Sequence, residues 1–305
     1  MPSDAPQSDR FDAEQHDAPQ QPEVKLLQLP AFRPQRLRYD RAIDQLLGWG
    51  AIIVLLGVLM VSSLWTADAG TPSLAIFVLV VIGVFMLNLL SVRTTQEMAE
   101  ITALIEAAPD VAEHRLTLAM RRRPLQNHVR TTLYHRAALL RHRQQRFDEA
   151  AAICTALLAQ PLGRAASLRG NLLLTLCHAQ LEQQDLSGAY DSIAQLHQAS
   201  LSLFEQLGLL SLQTRYEVTA GLYDTALQDV ASKIERAELM PAPLCGAMHA
   251  MLATAAEHAG DEPLASWLSR RAELLLTPEQ LDDARAGRNM DGFVIPPGNA
   301  AEKSE

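Results

Sequence analysis

The sequence predicts an all-α protein, a two-helix transmembrane hairpin followed by an α-solenoid of helical hairpins. Three observations carry this. Two long uncharged stretches lie between Asp44 and Arg93. The region after Arg93 is dominated by Ala, Leu, Gln, Glu and Arg, which are strong helix formers, and it shows no sustained two-residue alternation. A short motif within it recurs five times at nearly constant spacing.

Residues 1–37 come first. They are rich in Asp, Gln and Pro, and such a segment buries too little apolar surface to offset chain entropy. A disordered tail is expected there. Its one apolar patch, VKLLQLPAF (24–32), is read as nonspecific or as a dock for membrane or partner.

The hairpin, 38–95, follows. Between Asp44 and Asp68 lie 23 uncharged residues, and between Asp68 and Arg93 another 24. About 20 apolar residues cross a bilayer. Spans of about 46–66 and 73–92 are expected. Trp49 and Trp65 sit where interfacial aromatics belong, near the ends of the first span. The short linker TADAGT forces the spans antiparallel. Cations (Lys25, Arg33, Arg36, Arg38, Arg41 and Arg93) flank the pair and none lies in the linker. Both termini are therefore expected in the cytoplasm, and a bacterial inner membrane suits the pattern. Neither span carries an acid, a base or a histidine, so a proton relay or transporter has no visible machinery.

Residues 93–283 form the helical repeat region. The motif endings are Ala112 (APDVA), Ala150 (RFDEA), Ala189 (DLSGA), Ala226 (LYDTA) and Ala265 (DEPLA), with spacings of 38, 39, 37 and 39. Alanine is the residue expected where two helices cross closely, because a larger side chain would push them apart. Residues 284–305 are expected to be a second disordered tail.

The pattern resembles the tetratricopeptide repeat, best in LYHRAALLRHRQQRFDEAAAICTALLAQPL (133–162). There Tyr134, Ala137, Ala138, Phe147, Ala150 and Pro161 sit near the family's characteristic places. The period exceeds the family's 34 residues by three to five. The resemblance implies stacked antiparallel pairs whose first helices line a protein-binding groove. Exposed groove positions would be Thr132, His135, Leu139, His142 and Arg143 in one copy. The next copies would add Asn171, Leu174, His178 and Glu182, then Arg215. The lysine–asparagine set with which some members clamp a peptide carboxylate is missing, so that specificity is not carried over.

Charge is segregated. From His114 to Arg146 there are nine arginines, four histidines and no acid. If the second span continues upward as a helix and the next one returns, Arg121, Arg122 and Arg123 arrive at the headgroups. Each cation there is worth about 1 kcal/mol. Anionic lipid, an acidic protein partner and a plain solvated face are the competing readings. The net charge of −9 and the scarcity of aromatics in the basic run argue against nucleic acid.

No catalytic motif is present. HExxH, GxSxG, GxxxxGK and GxGxxG are all missing. Neighbouring Cys177 and His178 point about 100° apart on a helix and make no nucleophile–base pair. Cys154, Cys177 and Cys245 match no disulfide framework or metal site. No cofactor, metal or enzymatic activity is expected. The reading is a membrane-anchored adaptor that binds a protein partner. Its alternative is a structural, self-assembling protein that contacts anionic lipid through its arginines.

Overall fold

A computed structural model of the chain describes residues 27–34, 57, 96–122 and 127–288. Apart from Gly57, both expected membrane spans lie outside the described residues. Among those described, no helix is long and apolar enough to cross a membrane.

The protein is all-helical among the described residues, with no strand. The helices are α1 (96–107), α2 (Pro109–Arg121), α3 (Asn127–Arg143), α4 (Phe147–Leu158), α5 (Arg169–Glu182), α6 (Leu186–His197), α7 (Leu203–Thr219), α8 (Tyr223–Leu227), α9 (Val230–Ala237), α10 (Ala242–Ala259), α11 (Glu262–Leu275) and α12 (Pro278–Arg285). A 3₁₀ turn, Gly163–Leu168, leads into α5.

The five recurring alanines have one structural meaning. Each is the fourth residue of its helix: α2, α4, α6, α8 and α11. Ala112, Ala150, Ala189 and Ala226 are fully buried and Ala265 nearly so. In each, the alanine N–H donates to the carbonyl four residues earlier. At Ala189 the close approach is visible directly, since Cys177 Sγ of the preceding helix lies 3.8 Å from its carbonyl.

The last four alanines also share a turn. Five residues before each stands a residue with positive φ: Gln145, Gln184, Gly221 and Gly260. The next N–H reaches back to the carbonyl five residues earlier, as in Arg146 to Arg141, Asp185 to Gln180, Leu222 to Glu217 and Asp261 to Ala256. This is the Schellman closure of a helix, with its left-handed residue just past the end. It reverses the chain in few residues, so the second helix folds back on the first. Asp185 and Asp261 then cap the following helix, accepting from Gly188 and Leu264 N–H.

Each first helix packs on its own partner. Each also packs on the next first helix, α3 on α5, α5 on α7 and α7 on α10. The fourth copy departs from the pattern, because its second helix is broken at Asp229 (φ 51°) into α8 and α9. The first copy departs too. Only Ala108 separates α1 from α2, and Pro109 opens the new helix. Helix α12 packs on α10, and its Thr277 and Gln280 form a capping box.

Within the expected N-terminal tail, 27–33 is a non-helical segment lying against α2 and α3. Leu29 and Phe32 join the apolar cluster of Ile101, Leu116, Leu133 and Tyr134. At the start of the expected second tail, α12 runs to Arg285 and Gly287 is bound to α7.

The two glutamines at positive φ give a stability prediction. A non-glycine residue there costs about 1–2 kcal/mol, part of which the extra unfolded-state freedom of glycine takes back. Gln145→Gly and Gln184→Gly should each raise the unfolding free energy by about 0.5–1 kcal/mol, and additively. Chemical denaturation checks it, and an unchanged or lowered midpoint would rule out the turn assigned here.

Candidate functional site

Two polar constellations are assembled by the first helices. One follows their shared face. His142 Nε2 of α3 lies 2.8 Å from His178 Nδ1 of α5, with the two rings edge to face. Glu182, one turn along α5, receives the Arg215 guanidinium of α7 at 2.8 Å. Arg215 Nε donates to the Gly287 carbonyl at 2.6 Å. The row therefore links α3, α5, α7 and the segment after α12 through side chains one repeat apart.

This row is buried. His142, His178, Arg215, His135 and Leu174 are all less than 9% exposed. Thr132, Leu139, Arg143, Asn171 and Glu182 are half-buried. The sequence places His142, His178, Glu182 and Arg215 on one face, and the structure brings them together there. The expectation that they stand exposed is corrected. Neighbouring first helices and residues 286–288 close over them, and they bind one another. Asn171 and Thr132 stay apart from the row. The Asn171 carbonyl accepts from Thr175, while the Thr132 hydroxyl donates to the carbonyl of His128.

Burial, and then the nearby Arg215 and Arg143, push His142 down to about 4. Burial, helped by Arg136, pushes His135 down to about 3, and neither of its ring nitrogens has a hydrogen-bond partner among the described residues. Both rings are neutral at pH 7. With His142 neutral, its contact with His178 adds no second cation from His142 beside Arg215.

The second constellation was not singled out in the sequence. Arg141, on α3, is 3% exposed and sits between two acids. Its guanidinium lies 3.2 Å from Glu113 of α2 and 2.9 Å from Glu149 of α4. Gln144 donates to the other Glu113 oxygen at 2.8 Å and accepts from Arg141 at 2.6 Å. The segment 27–33 lies across this cluster. Leu29 N–H donates to Glu113 at 2.7 Å, and its carbonyl accepts from Arg141 at 2.9 Å. Leu27 N–H donates to His114 Nδ1 at 3.0 Å. Phe32 meets Tyr134 edge-on at 6.1 Å. Burial alone would raise the Glu113 pKa. The hydrogen bonds from Gln144 and Leu29 and the Arg141 charge outweigh it and hold the carboxyl below its ordinary value.

The basic run is largely tied down within the fold. Arg141 and Arg146 pair with Glu149, Arg122 chelates Glu97 at 2.8 Å, and Arg136 is buried. Arg121 is exposed, and Arg123 lies outside the described residues. The contact between Arg122 and Glu97 brings the end of α2 back to the start of α1, the antiparallel return expected from helix lengths.

Cys177 and Cys154 are buried, and burial pushes both thiols up to about 12, so neither is a ready nucleophile. No group of three metal-ligating side chains occurs among the described residues. Compared with known proteins, the chain matches no family model, no curated sequence and no solved structure.

The buried histidines set a pH dependence. Lowered folded-state values mean that the unfolded chain takes up protons first. Their contribution is complete above the ordinary value of 6.5 and is lost as pH falls towards about 4 for His142. Each such group removes about 1.4 kcal/mol per pH unit within its window. Thermal unfolding between pH 7 and 4 should show this loss. His135→Leu, which removes an unpartnered buried ring, should be more stable at pH 7 by about 1 kcal/mol and should lose less on acidification. A flat pH profile would refute the assignment.

Proposed function

We propose that this protein is a membrane-anchored adaptor. A two-helix hairpin (spans about 46–66 and 73–92) holds a solenoid of helical hairpins resembling tetratricopeptide repeats in the cytoplasm, and the solenoid binds a protein partner. The observation that carries the reading is the repeated turn, together with the lateral contact of successive first helices. Repeats that touch mainly their neighbours extend into arrays with long binding surfaces. Anchoring such a surface raises the local concentration of any membrane-bound target.

A contact within the chain supports the hairpin. Leu29 is bonded to Arg141 and Glu113, so residues 27–33 and the helices lie on one side of any membrane. The intervening chain then crosses an even number of times, and its two apolar stretches make two crossings.

The alternative, a structural or self-assembling protein contacting anionic lipid through Arg121, Arg122 and Arg123, draws less support. Arg122 is already paired with Glu97. A surface pair of this kind is worth roughly 0–1 kcal/mol, close to what one headgroup contact would return.

Two measurements test the proposal. In native membranes extracted with mild detergent, the intact chain should retain a stoichiometric partner that the hairpin alone (residues 38–95) does not. Recovery of only the chain itself or of lipid would favour the structural alternative. In sealed vesicles, Ala31→Cys and Gln198→Cys should be modified from the same face. The native cysteines are buried and add little background. Labelling from opposite faces would exclude an even number of crossings.

A further inference from the structure

The segment 27–33 looks at first like a permanent strap. Four features argue otherwise. Its contacts to α2 and α3 are largely made by its backbone. The Leu29 N–H and carbonyl are both read by side chains, and so is the Leu27 N–H. Such contacts accept any linear, non-helical peptide of suitable shape. Its apolar anchors Leu27, Leu29 and Phe32 are only half-buried, and Gln28, Pro30, Ala31 and Arg33 are exposed. A cavity of about 380 Å³ remains between the segment and the helices, lined by Thr117, Met120, Tyr134, Ala137 and Ile153 among others. Finally, the reading groups hold one another. Arg141 is paired with Glu113 and Glu149, and Gln144 bridges Arg141 and Glu113, all without the segment. Loss of the segment leaves no orphaned buried charge, so the groove survives empty.

We propose that the groove between α2, α3 and α4 is a peptide-binding site, and that residues 27–33 occupy it as an intramolecular ligand in competition with a partner. The partner is a linear segment with an apolar residue and, three positions on, an aromatic one, in the register of Leu29 and Phe32. The backbone N–H and carbonyl of its first apolar residue are free to meet Glu113 and Arg141. Leu29 and Phe32 supply the apolar anchors, and Tyr134 supplies the edge-on partner for the aromatic ring. The inference rests on the protein-binding reading above and names the site and chemistry of the partner. It moves that site from the shared face, where His142, His178, Glu182 and Arg215 contact one another, to the groove beside it.

The test uses the full chain in detergent or nanodiscs and a fluorescein-labelled synthetic peptide of residues 24–34. The wild type should bind the peptide weakly, because its own segment competes at high effective concentration. Leu29→Asp/Phe32→Asp, which vacates the groove, should bind it at least tenfold more tightly. Adding Glu113→Gln to that background should weaken binding again by about tenfold or more, since a charged hydrogen-bond acceptor for the Leu29 amide is lost. Equal binding by the wild type and the vacated variant, at any strength, overturns the proposal. Circular dichroism confirms that the variants remain helical. If the double substitution unfolds the chain, Phe32→Ala serves in its place, with the same direction expected. Peptide binding and partner co-purification separate the two readings. A partner retained by a chain whose vacated groove ignores the peptide overturns the groove and leaves the adaptor. A groove that binds the peptide in a chain with no partner supports the groove and removes the adaptor.

Discussion

The left-handed residue that ends α3, α5, α7 and α10 is the constraint on which the rest depends. It reverses the chain in few residues and brings the fourth residue of the next helix against the helix just completed. Only a small side chain fits at that depth, and all four such positions hold alanine. Once the pair is closed, one apolar face stays open, and burying it requires the next pair. Lateral packing of α3, α5, α7 and α10 follows from the turn, and the polar row from His142 to Arg215 follows from that packing. Where the turn is different the regularity lapses, as at the single-residue bend between α1 and α2.

Burial of so many ionisable groups raises the question of what keeps them tolerable. The answer differs between the two constellations. Around Arg141 charge meets charge, with two carboxylates and an amide satisfying one guanidinium. In the row, His142 gives up its charge instead, and Arg215 meets Glu182 and the Gly287 carbonyl. A buried pair of ions is weak evidence of net stability, yet removing one member is expensive, at about 3–5 kcal/mol. Both constellations are therefore better read as register devices, fixing which helix faces which neighbour. Arg141 does this between α2, α3 and α4, and Arg215 ties the end of the domain back onto α7.

Much of the fold was legible in the sequence, for a reason that can be stated. Close helix crossings admit only small residues, so the alanines show the period even where the rest of the motif has drifted. The turns were half legible. Gly221 and Gly260 announce a left-handed residue, whereas Gln145 and Gln184 do not. The polar row was legible as a face, because helical spacing places His178 beside Glu182 and repeat spacing aligns them with His142 and Arg215. Its burial was not, since periodicity says which residues share a side but not what lies opposite. The arginine run misled for a related reason. Its partners Glu113 and Glu149 stand just outside the run, and Glu97 well before it, so a window free of acids looked like a free basic surface.

Residues 27–33 show the limit most clearly. A non-helical segment held through its backbone leaves no period and no motif, and its spaced Leu27, Leu29 and Phe32 resemble any apolar patch in a polar tail. The signal was present only as an apolar cluster within a Pro- and Gln-rich stretch, close to the first span. That position has a physical consequence. A segment bound to α2 and α3 is followed about a dozen residues later by an uncharged run, and on the proposed anchoring it would tie the helices to the membrane. On the proposed anchoring, the second run would hold the helical domain at a further point. Two attachments restrict its tilt far more than a single linker does. Release of the segment would then free the groove and loosen the domain at once. On the two proposals together, peptide occupancy and domain orientation would be coupled through Leu27, Leu29 and Phe32.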